Sequence, residues 1–281
     1  MSAGTPPDET ALTRAQLLRE MGLSPQWKLR AQPSVGRMTP VLIAEASVEQ
    51  GSPPVAAVTA SFATPGVSAS GASVTDREQQ IADLDWDGLR QGVADCRACG
   101  LCQERRQAVL GVGDTSADWL FIGEGPGAEE DARGEPFVGA AGKLLDAMLT
   151  AIDLKRGSDV YIANAVKCRP PGNRTPEAAE MAVCAPYLRR QIALIRPRLI
   201  VLLGRAAVHA VLGELGSLAS LRGKPFVYPA AESDGQAIPV VVTYHPAYLL
   251  RSMPDKAKAW EDLCRARTLM RTAKAVPSLP M

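Results

Sequence analysis

The chain has no run of about eighteen apolar residues, the length a membrane span needs, and its opening MSAGTPPDET has neither a basic n-region nor an apolar h-region. Neither a membrane helix nor a secretory signal is therefore expected, and a cytoplasmic protein is predicted. Histidine is scarce: His209 and His245 are the only two. The glycine-rich loop GEGPGAEED (123–131) has no lysine, which removes a P-loop, and its spacing is not GxGxxG followed by a ribose-binding acid, which removes a dinucleotide fold. Net charge is close to balanced at +1 and by itself says little.

The charges that are present are segregated. Residues 114–153 hold nine Asp/Glu against two Lys/Arg, a net of −7, and residues 155–205 hold ten Lys/Arg against three Asp/Glu, a net of +7. That pattern fits either solvated surface or an acidic reaction site beside a basic track. The apolar fraction of 46% over 281 residues is enough to build a core. Near the N-terminus, Leu17, Leu18, Met21 and Leu23 recur at helical spacing, and from about Ala31 the chain becomes an Ala/Ser/Pro-rich stretch that reads as a disordered linker. Residues 1–82 are therefore expected to be a short helix plus linker, first of all a dispensable tail and alternatively a tethered helix that docks on a replication or repair protein, and residues 83–281 to be the folded domain.

Within that domain WLFIG, VYIAN, LIVLLG and IPVVVTY have the near-continuous hydrophobicity of strands buried on both faces. Helical stretches separate them: GKLLDAMLTAIDL, then TPEAAEMAVCAPYLRRQIALI with Thr175 as N-cap, then GRAAVHAVLG. The rhythm predicts an α/β fold, three-layer α/β/α, around a small four-stranded parallel sheet. Ligands of such sheets bind beyond the carboxyl ends of the strands. Those ends carry Gly123 with Glu124 and Gly125, then Asn164, Gly204, and His245. A phosphate is a poor occupant, because Glu124, Glu129, Glu130 and Asp131 crowd the first loop.

Six cysteines are present. In a reducing compartment they are expected to be free or metal-bound, not paired. Cys96, Cys99 and Cys102 form CRACGLC, with Cys168, Cys184 and Cys264 further on. Four thiolates gathered by a fold suit zinc or an iron–sulfur cluster, and the spacing does not separate the two. Cys264 is expected to be a buried small apolar residue.

GEGPGAEED, GEPFVGAAGKLLD, VYIANAVKCRPPGNRTP and YHPAYLLR occur in that order. Together they resemble the family 4 uracil-DNA glycosylases, over roughly residues 90–272. The resemblance implies a 4Fe-4S cluster on Cys96, Cys99, Cys168 and Cys184, with Cys102 a free thiol. It also implies a monomeric repair enzyme that flips uracil from single- or double-stranded DNA and hydrolyses its glycosidic bond. Asn164 would read the base, Phe137 would stack on it, Gly123 and Gly125 would bring backbone close, and His245 would donate to uracil O2. Glu130 is expected to position water, with Glu124 and Asp131 behind it, while Glu129 complements the helix dipole. Leu249 or Leu250 would fill the vacated stack, and Lys167, Arg169, Arg174 and Arg251 would meet phosphates. His209 is expected to pack within its helix. A relative that captures uracil-DNA covalently is disfavoured because NAVKCRPPGNRTP has no histidine; a zinc-stabilised non-catalytic module is the other alternative.

Overall fold

The computed structural model describes residues 74–229 and 237–275. The helix expected around Leu17 to Leu23 and the linker up to residue 73 lie outside the described residues. Six strands form one sheet: β1 (Val112–Gly113), β2 (Trp119–Gly123), β3 (Val160–Asn164), β4 (Leu199–Leu203), β5 (Phe226–Tyr228) and β6 (Ile238–Thr243). Their order is β1-β3-β2-β4-β6-β5. The central four are parallel and the two edges antiparallel. The expected parallel sheet is thus the centre of a larger mixed one. The edge strands have only two and three residues, too few to leave a periodic signal.

Side-chain alternation along the central strands sorts the core into two layers. Trp119 and Phe121 on β2, Val160 and Ile162 on β3 and Val201 on β4 point to one face. They meet Leu145 and Leu149 of α4 (Ala140–Ala151) and Leu263 and Met270 of α9 (Asp255–Ala275). Leu120, Ile122, Ala163 and Leu202 point to the other face, against Leu188 and Ile192 of α5 (Ala178–Ile195), Val208 of α6 (Arg205–Leu212) and Leu221 of α7 (Leu218–Leu221). Each such aliphatic side chain contributes about 1.5–3 kcal/mol on leaving water, so the sheet is fixed from both sides. The three-layer arrangement is the one expected. Helix α5 starts later than the sequence suggests, with Glu177 as its cap and Glu180 accepting from the Glu177 N–H at 2.7 Å, so Thr175 lies outside it.

A third cluster lies at one end of α5. Helices α1 (Val74–Ala82) and α2 (Trp86–Asp95) bring Ile81, Leu89 and Val93 against Met181, Cys184 and Tyr187. Arg77 of α1 donates to the Val183 carbonyl at 3.0 Å. Helix α1 precedes the boundary expected at residue 83, yet its apolar face packs on α5. Among the described residues, no helix is long and apolar enough to cross a membrane.

Candidate active site

Strands β2 and β3 end in register, with Gly123 opposite Asn164. The ladder runs on past both ends, since Ala165 N–H donates to Gly123 O at 2.9 Å and Val166 N–H to Glu124 O at 3.2 Å. A Cβ on Gly123 would lie 2.5 Å from Asn164 Oδ1 and 2.5 Å from Phe137 Cζ, so only glycine leaves these two side chains in place. Asn164 is 2% exposed and its Oδ1 has no hydrogen-bond partner. An acceptor buried in this way costs about 1–3 kcal/mol unless something fills it.

Residues from two further strand ends face the same spot. His245 follows β6 and caps α8 (Pro246–Leu249), its Nδ1 accepting from the Ala247 N–H at 3.2 Å. That bond leaves the proton of the neutral ring on Nε2. Burial first, then Arg251, lowers the His245 pKa to about 4, and Glu130 opposes the shift. The ring is therefore a neutral donor at physiological pH. It lies 5.4 Å from the Phe137 ring, tilted by 30°. Gly204, at the end of β4, makes room for it: its φ is +92° and a Cβ would meet His245 Cβ at 3.0 Å.

The acids of the first loop have structural duties that the sequence does not reveal. Glu130, in α3 (Ala128–Arg133), accepts from the N–H groups of Gly127 (3.1 Å), Val138 (2.9 Å) and Gly139 (3.1 Å). Its carboxylate ties two loops together, a different occupation from the expected handling of water. Asp131 is buried and accepts from the Arg106 N–H at 2.9 Å. Glu124 is partly buried, and burial raises its pKa against the opposing pull of Thr175 and Arg205. It lines a cleft with Thr175, Arg205 and the half-buried His209. Glu129 stays on the exposed first turn of α3, 3.9 Å from Arg133.

Cys96, Cys99, Cys168 and Cys184 line one cavity, together with Val93, Arg105, Lys167, Val183 and Tyr187, and Cys102 is not among the lining residues. Arg105 donates to Cys168 Sγ at 2.8 Å, and Arg77 lies 3.8 Å from Cys96 Sγ. Burial pushes the Cys184 thiol up to about 11, and burial likewise raises Cys168 against the pull of Arg105. At Cys96 burial is outweighed by the Ala98 N–H, Tyr187 and Arg77, which lower the pKa. Among the described residues no three His, Cys, Asp or Glu side chains converge on one ion position. Cys264 is exposed on α9, contrary to the expectation of burial, because it sits on the solvent side of the helix whose Leu263 enters the core.

Known proteins match much of this region. The sequence model of the uracil DNA glycosylase superfamily matches residues 110–264. The chain belongs to that superfamily. It is 42% identical over 190 residues to the type-4 uracil-DNA glycosylase of Sulfurisphaera tokodaii, covering 66% of this chain and 85% of the relative. The corresponding Thermotoga maritima protein is 40% identical over 186 residues, covering 65% of this chain and 93% of the relative. A type-5 uracil-DNA glycosylase of Thermus thermophilus is 37% identical over 165 residues, 47% of this chain and 74% of the relative.

Seen in this superfamily, the residues expected at the DNA surface divide sharply. Lys167 is 1% exposed, so the structure corrects its assignment to phosphate: its Nζ donates inward to the Asn164 carbonyl at 2.8 Å and to Gln191. Leu249 is 1% exposed in the core, whereas Leu250 is 45% exposed beside it. A helical turn cannot aim both outward, so of the two expected wedges only Leu250 remains. Arg251 is exposed. Arg169 is held by Asn173 at 2.7 Å, and Arg174 is paired with Glu180 at 2.7 Å and Glu177 at 3.6 Å. Arg105, Gln191 and Arg156 were not identifiable from sequence. Each acts across a gap of twenty or more residues or on backbone, and neither leaves a local motif.

Proposed function

We propose that the protein is a uracil-DNA glycosylase that rotates uracil out of DNA, hydrolyses its N-glycosidic bond and leaves an abasic site. The observation that carries this reading is the buried, unpartnered Oδ1 of Asn164, aimed at the same small space as Phe137 and His245. An amide there accepts from uracil N3–H and donates to O4, a pattern that cytosine reverses. Flipping is required because the bond is inaccessible within stacked duplex. Phe137 offers the ring an apolar plate, and Leu250 fills the gap left in the stack.

As the C1′–N1 bond breaks, its electron pair moves onto uracil N1 and O2, and C1′ becomes cationic. The neutral His245 donates through Nε2 to O2, where charge grows, and its fixed orientation requires no reorganisation during the step. Water then adds to C1′ and loses a proton to solvent. Glu130 contributes its negative charge to the cationic sugar while keeping its backbone bonds, whereas Glu124 faces the neighbouring cleft with Thr175 and Arg205. Arg251 and Arg169 would meet flanking phosphates.

Cys96, Cys99, Cys168 and Cys184, which line one cavity, would hold a 4Fe-4S cluster. Such a cluster would tie CRACGLC to the loop after β3 and to α5. Arg105 and Lys167 supply positive charge beside the thiolates. We place the enzyme in the cytoplasm as a monomer acting on single- or double-stranded DNA, with residues 1–73 available to a replication or repair protein.

A base-release assay tests the function. End-labelled DNA with one uracil, incubated with protein and then alkali, should be cut at that position and not at thymine. Asn164→Asp should lower release by roughly two orders of magnitude or more with the fold intact. Wild-type protein that leaves the uracil strand uncut would sink the reading.

A further inference from the structure

The segment Pro136–Gly139 carries the aromatic plate in an uncomfortable backbone shape. Phe137 has a φ of +55°, a region that costs a bulky side chain of order 1–3 kcal/mol and persists only when the surroundings enforce it. Three contacts enforce it. Glu130 accepts from the N–H groups of Val138 and Gly139 at 2.9 and 3.1 Å. Gly142 on α4 lies so close that a Cβ there would fall 1.8 Å from the Phe137 carbonyl oxygen. Arg156, in the turn before β3, donates through Nη1 to the Pro136 carbonyl at 2.9 Å and through Nη2 to the Phe137 carbonyl at 2.8 Å. Its Nε is held by Asp146 of α4 at 2.9 Å. Two donors on adjacent carbonyls and a third on a carboxylate use the planar fork of guanidinium, which lysine cannot reproduce.

We propose that Arg156 is a positioning residue for base recognition: with Glu130 it holds one backbone group of each residue from 136 to 139 and so fixes the Phe137 ring at the distance where a flipped uracil stacks. This rests on the glycosylase reading above. Arg156 touches neither base nor sugar. Its contribution is to hold a strained loop in the one conformation that brings Phe137 against Gly123, Asn164 and His245. Without the fork the strained φ relaxes and the plate moves, and a displacement of about 1 Å at a reacting site costs on the order of a hundredfold.

The test compares Arg156→Ala, Arg156→Lys and Asp146→Asn in the full chain. Arg156→Ala should lower the single-turnover rate at saturating uracil-DNA by about tenfold or more and weaken inhibition by free uracil comparably, with binding of uracil-free DNA unchanged. Arg156→Lys should rescue little of this, and Asp146→Asn, whose amide oxygen still accepts from Nε, should fall between wild type and Arg156→Ala. A purely structural role would lower the melting temperature but leave the uracil inhibition constant alone. Hydrogen exchange at Val138 and Gly139 reads the clamp without catalysis and should accelerate in Arg156→Ala. Unchanged exchange there overturns the clamp even if wild type releases uracil, as does an Arg156→Ala rate within about twofold of wild type. If wild type releases no uracil while exchange accelerates as expected, the glycosylase reading falls and the proposed role in base recognition falls with it.

Discussion

At the scale of single residues, protonation state decides what His245 can do. Burial holds its folded pKa near 4, below its ordinary 6.5. The imidazole should therefore stay neutral, and its part in excision should persist from about pH 7 to about pH 5, which a single-turnover pH profile and imidazole NMR titration would check. The sign for stability follows from the same shift. Between pH 6.5 and about 4 the unfolded chain binds the extra proton, so this group's contribution is complete above 6.5 and is lost as pH falls through that window. A rate that drops with an apparent pKa near 6.5 would show that the ring is not held neutral. Lys167 shows where single-residue reading stops. In the sequence it belongs to the basic string KCRPPGNR, and nothing local marks it as the residue of that string that turns inward to Asn164 and Gln191.

At the scale of elements, α8 separates two neighbouring leucines by orientation. Leu249→Ala should destabilise the fold by roughly 2–5 kcal/mol because it empties a core position, with little effect on excision once folded. Leu250→Ala should leave the melting temperature almost unchanged and slow release from paired DNA more than from single strands, since only the paired substrate leaves a hole to fill. Equal losses on both substrates would remove Leu250 as the wedge. The cysteine-bearing elements make a similar contrast. Cys168→Ala should abolish broad absorption near 400 nm and lower stability together, whereas Cys102→Ala should retain both. The central strands and helices α4, α5 and α6 were legible because each carries a long apolar pattern of one period. The edge strands were not, being too short, and the start of α5 was misplaced because Glu177 and Glu180 form a competing cap.

At the scale of the whole molecule, the site residues and the superfamily match lie within the described part of the chain. A chain beginning at residue 67 should release uracil at the full rate. One beginning at residue 83 should lose roughly 2–4 kcal/mol, because Ile81 leaves the cluster around Cys184 and Arg77 leaves Val183 and Cys96. Denaturation of the two chains side by side would check this, and identical midpoints would mean that α1 adds nothing.

The sequence by itself determined the layered α/β architecture, the order of the strand ends, and the identity of Asn164, Phe137 and His245 as a group. Apolar periodicity and residue chemistry are local properties, written in consecutive positions. Only the tertiary structure decided which charged groups face outward. Lys167, Glu130 and Asp131 satisfy backbone or buried partners, Arg156 grips a loop twenty residues away, and Leu250 alone of its pair meets solvent. Those outcomes depend on which distant N–H and C=O groups remain unpaired once the sheet is assembled, and no window of sequence contains that information.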